Sequence, residues 1–321
     1  MNKLRDKMTD EMYQLKLTFD KNLFDISKNI SIDTRQQANI RESCMMAAIL
    51  LNKVEYVEQN LDNGFDLKTF LTNTRLQELY KKKATTSPYK DLISKMRKRI
   101  KGELQAMDVN RLLEYLLGDS NLQFKRYAHI DKGDAINIPD DDNQCLDLFI
   151  WSVLNNLEDM AKLFWRHGKD AMASALFAHA LLSAMSHQID DKDTKEQCEK
   201  QRCEFTSLAI GVLRECYKQD VNLAKDLLIQ TQSQWEEASC VLLAVRAKNK
   251  QFISEHACQD VFNNIWMGEI EMETGSFCNN LKLLWCIIFP FLILPCIAFK
   301  EDDSKQGFNQ TASNVQTLEE F

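Results

Sequence analysis

Three observations predict an all-α protein of stacked antiparallel helix pairs. Glycine and proline are scarce, nine and four in 321 residues, while residues that favour helix are abundant. Apolar positions recur three and four apart, the period of one helix face. The chain also repeats itself. "MMAAILLNKVEYVEQNLDNG" (45–64) and "DLFIWSVLNNLEDMAKLFWRHG" (147–168) share an apolar helix, a Leu-Asn turn, a second helix and a closing glycine. Leu51, Asn52, Val54, Glu55 and Val57 match Leu154, Asn155, Leu157, Glu158 and Met160 at an offset of 103, with Gly64 and Gly168 one residue out of step.

Each unit has the style of an ankyrin-like helix pair, whose inner face is buried only by stacking on a neighbour. The ankyrin T-P-L-H signature is absent, so true ankyrin repeats are not expected. "CVLLAVRAKNKQFISEHAC" (240–258) reads as a weaker third copy, and "IGVLRECYKQDVNLAKDLL" (210–228) has the same rhythm. Residues 1–128 form a first helical-repeat lobe in this reading. The acidic "HIDKGDAINIPDDDNQ" (129–144) is a linker, and residues 145–266 form a second lobe. Within that lobe "QIDDKDTKEQCEKQRCE" (188–204) reads as a charged spacer or a solvated helix end. The aromatic residues at 149, 151, 164 and 165, and likewise Trp235 and Trp266, are expected in the core. The tail 301–321 is polar, with little periodicity, and reads as disordered.

Composition excludes several functions. A net charge of −7 disfavours a nucleic-acid binder, because neutralising phosphates needs a basic surface. Phosphate-loop, dinucleotide, zinc-protease and nucleophile-elbow signatures are absent, as is any Cys/His ligand set. No enzyme activity, cofactor or metal is expected. "DDDN" (140–143) lacks the ligand spacing of an EF-hand. The ten cysteines show no C-x-x-C pair, and they read as reduced thiols in a cytosolic setting. The opening residues have no signal-peptide apolar core.

Two segments invite a membrane. "KKKATTSPYKDLISKMRKRIK" (81–101) holds nine basic residues against Asp91, with an apolar stripe through Leu92, Ile93 and Met96. Lys95, Arg97, Lys98, Arg99 and Lys101 are therefore candidates for contact with anionic lipid or calmodulin. The alternative is a solvated face. The second segment, residues 277–300, holds "KLLWCIIFPFLILPCIAFK" (282–300). Its 17 uncharged residues reach about 26 Å as helix, short of a hydrocarbon core of about 30 Å. Pro290 and Pro295 each remove a helix hydrogen bond. A broken helix at the interface, presenting Trp285, Phe289 and Phe291 beside the two prolines, fits better than a single span.

Together these residues resemble the transient receptor potential melastatin channels, the TRPM family, from about residue 44 to residue 300. "VEYVEQNLDNGFDLKTFLTNTRLQELY" looks like that family's third homology region. "LFIWSVLNNLEDMAKLFWRHGKDAMASALFAHALL" looks like its fourth, and the apolar stretch like its pre-transmembrane elbow. The resemblance implies a regulatory or assembly portion of a calcium-permeable cation channel, on the cytoplasmic face of the plasma membrane. Its implied partners are other TRPM subunits in a homo- or hetero-tetramer. Nothing in these residues resembles the family's nucleotide-sensing domain, its six membrane helices and pore, or its C-terminal enzyme-like domains. A truncated isoform or fragment is therefore expected, and no pore or Ca²⁺ residue carries over. The alternative is a free-standing helical-repeat scaffold that binds membranes or proteins.

Overall fold

The computed structural model describes residues 34–83, 109–118, 143–231 and 238–267. It adds positions 16, 17, 19, 92, 95, 235, 270, 271, 298 and 299. Thirteen bounded helices occur among them. They are α1 (Thr34–Leu50), α2 (Val54–Asp62), α3 (Leu67–Phe70), α4 (Asn73–Lys83), α5 (Val109–Leu117), α6 (Gln144–Leu154) and α7 (Glu158–His167). α8 (Ala171–Gln188), α9 (Lys192–Gln219), α10 (Val221–Ile229), α11 (Cys240–Arg246), α12 (Lys250–Ile253) and α13 (His256–Met267) follow. The fold is all-α, as its composition predicts. The one ladder among described residues is two residues long: β1 (Ile270–Glu271) runs antiparallel to β2 (Ala298–Phe299), pairing Ile270 with Phe299 and Glu271 with Ala298.

The repeated turns are one motif used three times. Asn52, Asn156 and Lys248 carry φ of 57°, 56° and 54°, all left-handed. The following amide reaches back five residues in each case: Lys53 to the Ala48 carbonyl at 2.8 Å, Leu157 to Ser152 at 3.0 Å, Asn249 to Ala244 at 2.9 Å. The left-handed residue itself donates three residues back, to Ile49, Val153 and Val245. This is the Schellman closure of a helix C-terminus, and the next helix starts at once. It corrects the repeat register from 103 to 104: Asn52 corresponds to Asn156 rather than Asn155, and Gly64 falls opposite Gly168. The Asn-Asn pair made the turn ambiguous by one residue, and only the backbone bonds resolve it. The joint in 210–228 differs. There Asp220 ends α9 and caps α10, accepting from Asn222 N at 2.8 Å and Leu223 N at 3.1 Å.

The first two hairpins stack through their second helices. Arg166 on α7 meets Glu58 on α2 at 2.8 Å, and His167 lies 3.9 Å from Asp62. Helices on both sides of residues 129–144 share one apolar core, which includes Val57, Phe70, Leu112, Trp151, Phe164, Leu181 and Phe252. Aromatic contacts lock it: Phe149 stands edge-on to Phe205 at 5.6 Å, and Phe177 lies tilted against Trp235 at 4.9 Å. The charged run 188–204 is not a spacer. Asp191 caps α9 by accepting from Thr194 N, and the helix runs 28 residues, about 42 Å. Its wet face carries the charges, while Cys198, Gln201 and Phe205 face inward.

Between α8, α9 and the third turn lies a buried polar knot. His179 is buried, and its Nδ1 shares a hydrogen bond of 2.7 Å with Thr206 Oγ1. Thr206 donates to the Arg202 carbonyl at 3.0 Å, and Asn249 Nδ2 donates to Thr206 at 3.3 Å. Asn249 also caps α12, accepting from Phe252 N at 3.2 Å. Burial, then the Arg202 charge, pushes the His179 pKa down to about 4, against the pull of nearby Glu199. The imidazole is therefore neutral in the folded protein. A second polar tie sits at the middle turn, where Asn156 accepts from Gln201 Nε2 and donates to Gln197, both at 2.8 Å.

One expected core aromatic is outside. Trp266 is 85% exposed, whereas Trp235 is 2% exposed. Helix α13 buries Ala257, Cys258 and Val261. At about 100° per residue Trp266 points about 180° from Ala257 and about 140° from Val261. Spacing alone placed it in the core; the rotation of α13 turns it to solvent.

Three predictions follow from this packing. Met160 and Leu154 are fully buried, so Met160→Ala should destabilise by about 2–5 kcal/mol in urea unfolding. Two of the three left-handed turns should answer glycine in opposite ways. Lys248 is exposed, so Lys248→Gly relieves strain and should stabilise by up to about 1 kcal/mol. Asn156→Gly strands the buried Gln201 amide and should destabilise by about 1–3 kcal/mol. The third prediction concerns pH. Because folding selects neutral His179, its contribution is full above the ordinary value of 6.5 and is lost as pH falls toward about 4. Unfolding titrations should show wild type losing about 2 kcal/mol more than His179→Gln between pH 7 and pH 5.

Candidate functional site

The exposed chemistry gathers where α7 crosses α9. Both helices carry oppositely charged residues four apart, Glu158 with Lys162 on α7 and Lys200 with Glu204 on α9. Such pairs lie on one helix face, and the crossing brings the two faces together. Lys162 Nζ lies 2.7 Å from Glu158 and also contacts Glu204; Lys200 lies 3.5 Å from Glu158 and 3.8 Å from Glu204. The hydrogen bond from Lys162, above all, holds the Glu158 carboxyl below the usual range. Burial works against charge on Lys162, yet Glu158 and Glu204 hold its pKa above the usual value. Glu158 and Lys162 are therefore both charged at neutral pH.

Two adjoining cavities flank this crossing. One, of about 430 Å³, is lined by Val54, Glu55, Asp159, Lys162, Trp165, Arg166 and Leu208. The other, of about 550 Å³, is lined by Lys162, Lys200, Cys203, Glu204, Ser207 and Leu208. Lys162 and Lys200 both contact the Glu204 carboxylate of the second cavity. That arrangement is an open surface of mixed charge, suited to a protein contact. Among described residues no group of three or more His, Cys, Asp and Glu could hold a metal ion. Four thiols are chemically quiet: burial, first of all, pushes Cys198, Cys240 and Cys258 up to about 12 and Cys145 to about 11.

Of the candidate basic residues, Lys95 is engaged within the protein. Its Nζ donates to the Gln188 carbonyl and lies 2.9 Å from Asp190. Tyr115 Oη donates to Gln188 Oε1 at 3.0 Å, so two side chains close the C-terminal end of α8. A cation there opposes the helix's negative end. Leu92, on the expected apolar stripe, is fully buried. Arg97, Lys98, Arg99 and Lys101 lie outside the described residues, as do Trp285, Phe289, Pro290, Phe291 and Pro295. The acidic segment 129–142 and the tail 301–321 lie outside them too. Among the described residues no helix is long and apolar enough to cross a membrane.

The α7–α9 charge crossing was missed from sequence, although both of its four-residue spacings are visible there. Spacing reports which charges share a helix face. It does not report which two faces will meet across 40 residues of chain.

Comparison with known proteins places this architecture. Residues 32–255 match the family model described as the TRPM2-like domain. The chain is 27% identical to transient receptor potential cation channel subfamily M member-like 2 of Nematostella vectensis, an alignment covering 99% of the chain and 23% of that protein. It is 29% identical to subfamily M member 2 of Rattus norvegicus, covering 90% of the chain and 21% of that protein. It is 28% identical to transient receptor potential cation channel trpm of Drosophila melanogaster, covering 84% and 15%. The chain thus spans less than a quarter of each of these relatives, which are named as channels rather than enzymes. With the matched domain running from the first helix through the third hairpin, over more than half of its length, the chain belongs to the TRPM family of cation-channel proteins.

Proposed function

We propose that this chain serves as the regulatory and assembly portion of a TRPM-type, calcium-permeable cation channel, at the cytoplasmic face of the plasma membrane. The match of residues 32–255 to the TRPM2-like domain carries this reading. The mixed-charge groove at α7 and α9 supports a role in protein contact. Its partners are other TRPM subunits, in a homo- or hetero-tetramer.

The apolar segment is the membrane-facing elbow in this proposal. The β1–β2 ladder supports an interfacial segment over a single span. Paired strands lie about 5 Å apart, so residues 272–297 leave and rejoin the fold at one place. A straight span of 17 residues would separate its ends by about 26 Å. Arg97, Lys98, Arg99 and Lys101 add attraction to anionic lipid or a grip for calmodulin. Lys95 is set apart from them by its contact with α8.

Full-length protein should sediment with membranes after alkaline carbonate extraction, and deleting residues 277–321 should release it. Changing Arg97, Lys98, Arg99 and Lys101 to Gln should weaken binding to phosphatidylserine vesicles in a salt-dependent way, by about 1 kcal/mol per residue held at the surface. Lys95→Gln should instead lower folding stability. Expressed alone, the chain should carry no cation current; co-expressed with a complete TRPM subunit, it should co-purify with it and change its current. Protein that stays in the supernatant without detergent overturns the elbow, and failure to co-purify overturns the assembly role.

A further inference from the structure

We infer that Trp266 docks into the headgroup layer of a zwitterionic membrane and fixes the approach of the helical stack to the bilayer. The inference rests on the elbow reading above and names a residue outside the apolar segment as its partner.

Among described residues Trp266 is the most exposed large apolar side chain, at 85%. The indole projects from the last turn of α13, while Phe262 and Ile265 of the same turn pack against the core. The backbone beneath it is therefore anchored, and the side chain projects from a fixed support. Its position in the chain decides what it meets. Four residues later β1 begins, and β2 returns the chain to the same point after residues 272–297. That interval contains Leu283 to Phe299 in all but its last two residues, the most apolar stretch of the chain. Both the exit and the re-entry of the membrane-seeking segment thus lie within a few residues of the exposed indole. An indole has an apolar body and one N–H donor, the chemistry enriched at the headgroup level of membranes.

The charge that follows it in the sequence selects the lipid. Glu269, Glu271 and Glu273 follow Trp266 closely, with no Lys or Arg between residues 251 and 281. An anionic surface would repel this corner, so the docking should favour phosphatidylcholine and should not weaken with added salt. That behaviour is opposite to the one expected of the basic run.

Vesicle partitioning of the full-length chain tests the inference. With phosphatidylcholine vesicles, Trp266→Ala should lower the partition coefficient by about tenfold at any salt concentration, and Trp266→Phe should retain most of it. Lipid brominated near the headgroup end of its acyl chains should quench wild-type fluorescence more than that of Trp266→Phe. The exposure of Trp266 means that either variant should unfold at the wild-type urea midpoint. Full-length protein that partitions as well with alanine at 266 overturns the inference and leaves the elbow standing. Protein that does not partition at all overturns the elbow reading and this inference with it. A Trp266→Ala change that shifts the protein's solution mass or its urea midpoint, with vesicle binding intact, assigns the indole to a second copy or to the chain's own fold and overturns membrane docking.

Discussion

Helix α8 has no wet side along most of its length, and the rest of the molecule is arranged to keep it dry. Thirteen of its eighteen residues are buried, among them Ala173, Ala175, Ala178 and Ala180, whose small side chains let neighbours approach closely. α5, α6, α7, α9 and α11 all pack against it. A helix apolar all round must sit at the centre of a larger stack. The one buried titratable group on it, His179, must then be neutral and bonded, because a bare charge there would face a large desolvation penalty. Thr206 bonds the imidazole and Asn249 donates in turn to Thr206, so the polar knot follows from the burial of α8.

The ends of α8 are controlled as closely as its middle. At the C-terminal end Lys95 and Tyr115 reach Gln188, linking α8 to chain that precedes residue 129. At the N-terminal side Trp165 Nε1 donates to the Ala171 carbonyl at 2.7 Å, and Gly168 lets the chain pass close to α7. A methyl group at Gly168 would sit 3.3 Å from the Phe164 carbonyl oxygen. Helix α8 therefore ties segments on both sides of residues 129–142 into one core.

The Schellman turns explain how one chain repeats a hairpin without repeating a sequence. The backbone needs a residue that tolerates φ near +55° and an amide that reaches back five residues. Asparagine suits that need, glycine suits it better, and lysine suits it poorly. Position 248 holds lysine nonetheless, because its neighbour Asn249 does the specific work of capping α12 and bonding Thr206. The middle copy places both roles elsewhere: Asn156 is the left-handed residue and also holds Gln201 and Gln197. The shared feature is a hydrogen-bond pattern, and side-chain identity varies around it.

What the sequence determined by itself was the kind of element and the kind of family. Scarce glycine and proline, helical periodicity, the repeated passages and the resemblance to TRPM channels all rest on local patterns, and the fold class and family agree with them. Burial of Met160, Leu154, Trp151 and Phe164 was legible for the same reason, since each lies on an apolar stripe. Tertiary structure alone decided which stripes meet. It shifted the repeat register by one residue, because two adjacent asparagines offer the same side chain to different backbone bonds. It joined Glu158 and Lys162 to Lys200 and Glu204, and Lys95 to Gln188, across distances along the chain that no spacing encodes. It turned Trp266 outward, because the rotation of α13 about its axis is set by Ala257, Cys258 and Val261 against the core, and a lone tryptophan one turn beyond them cannot override that packing.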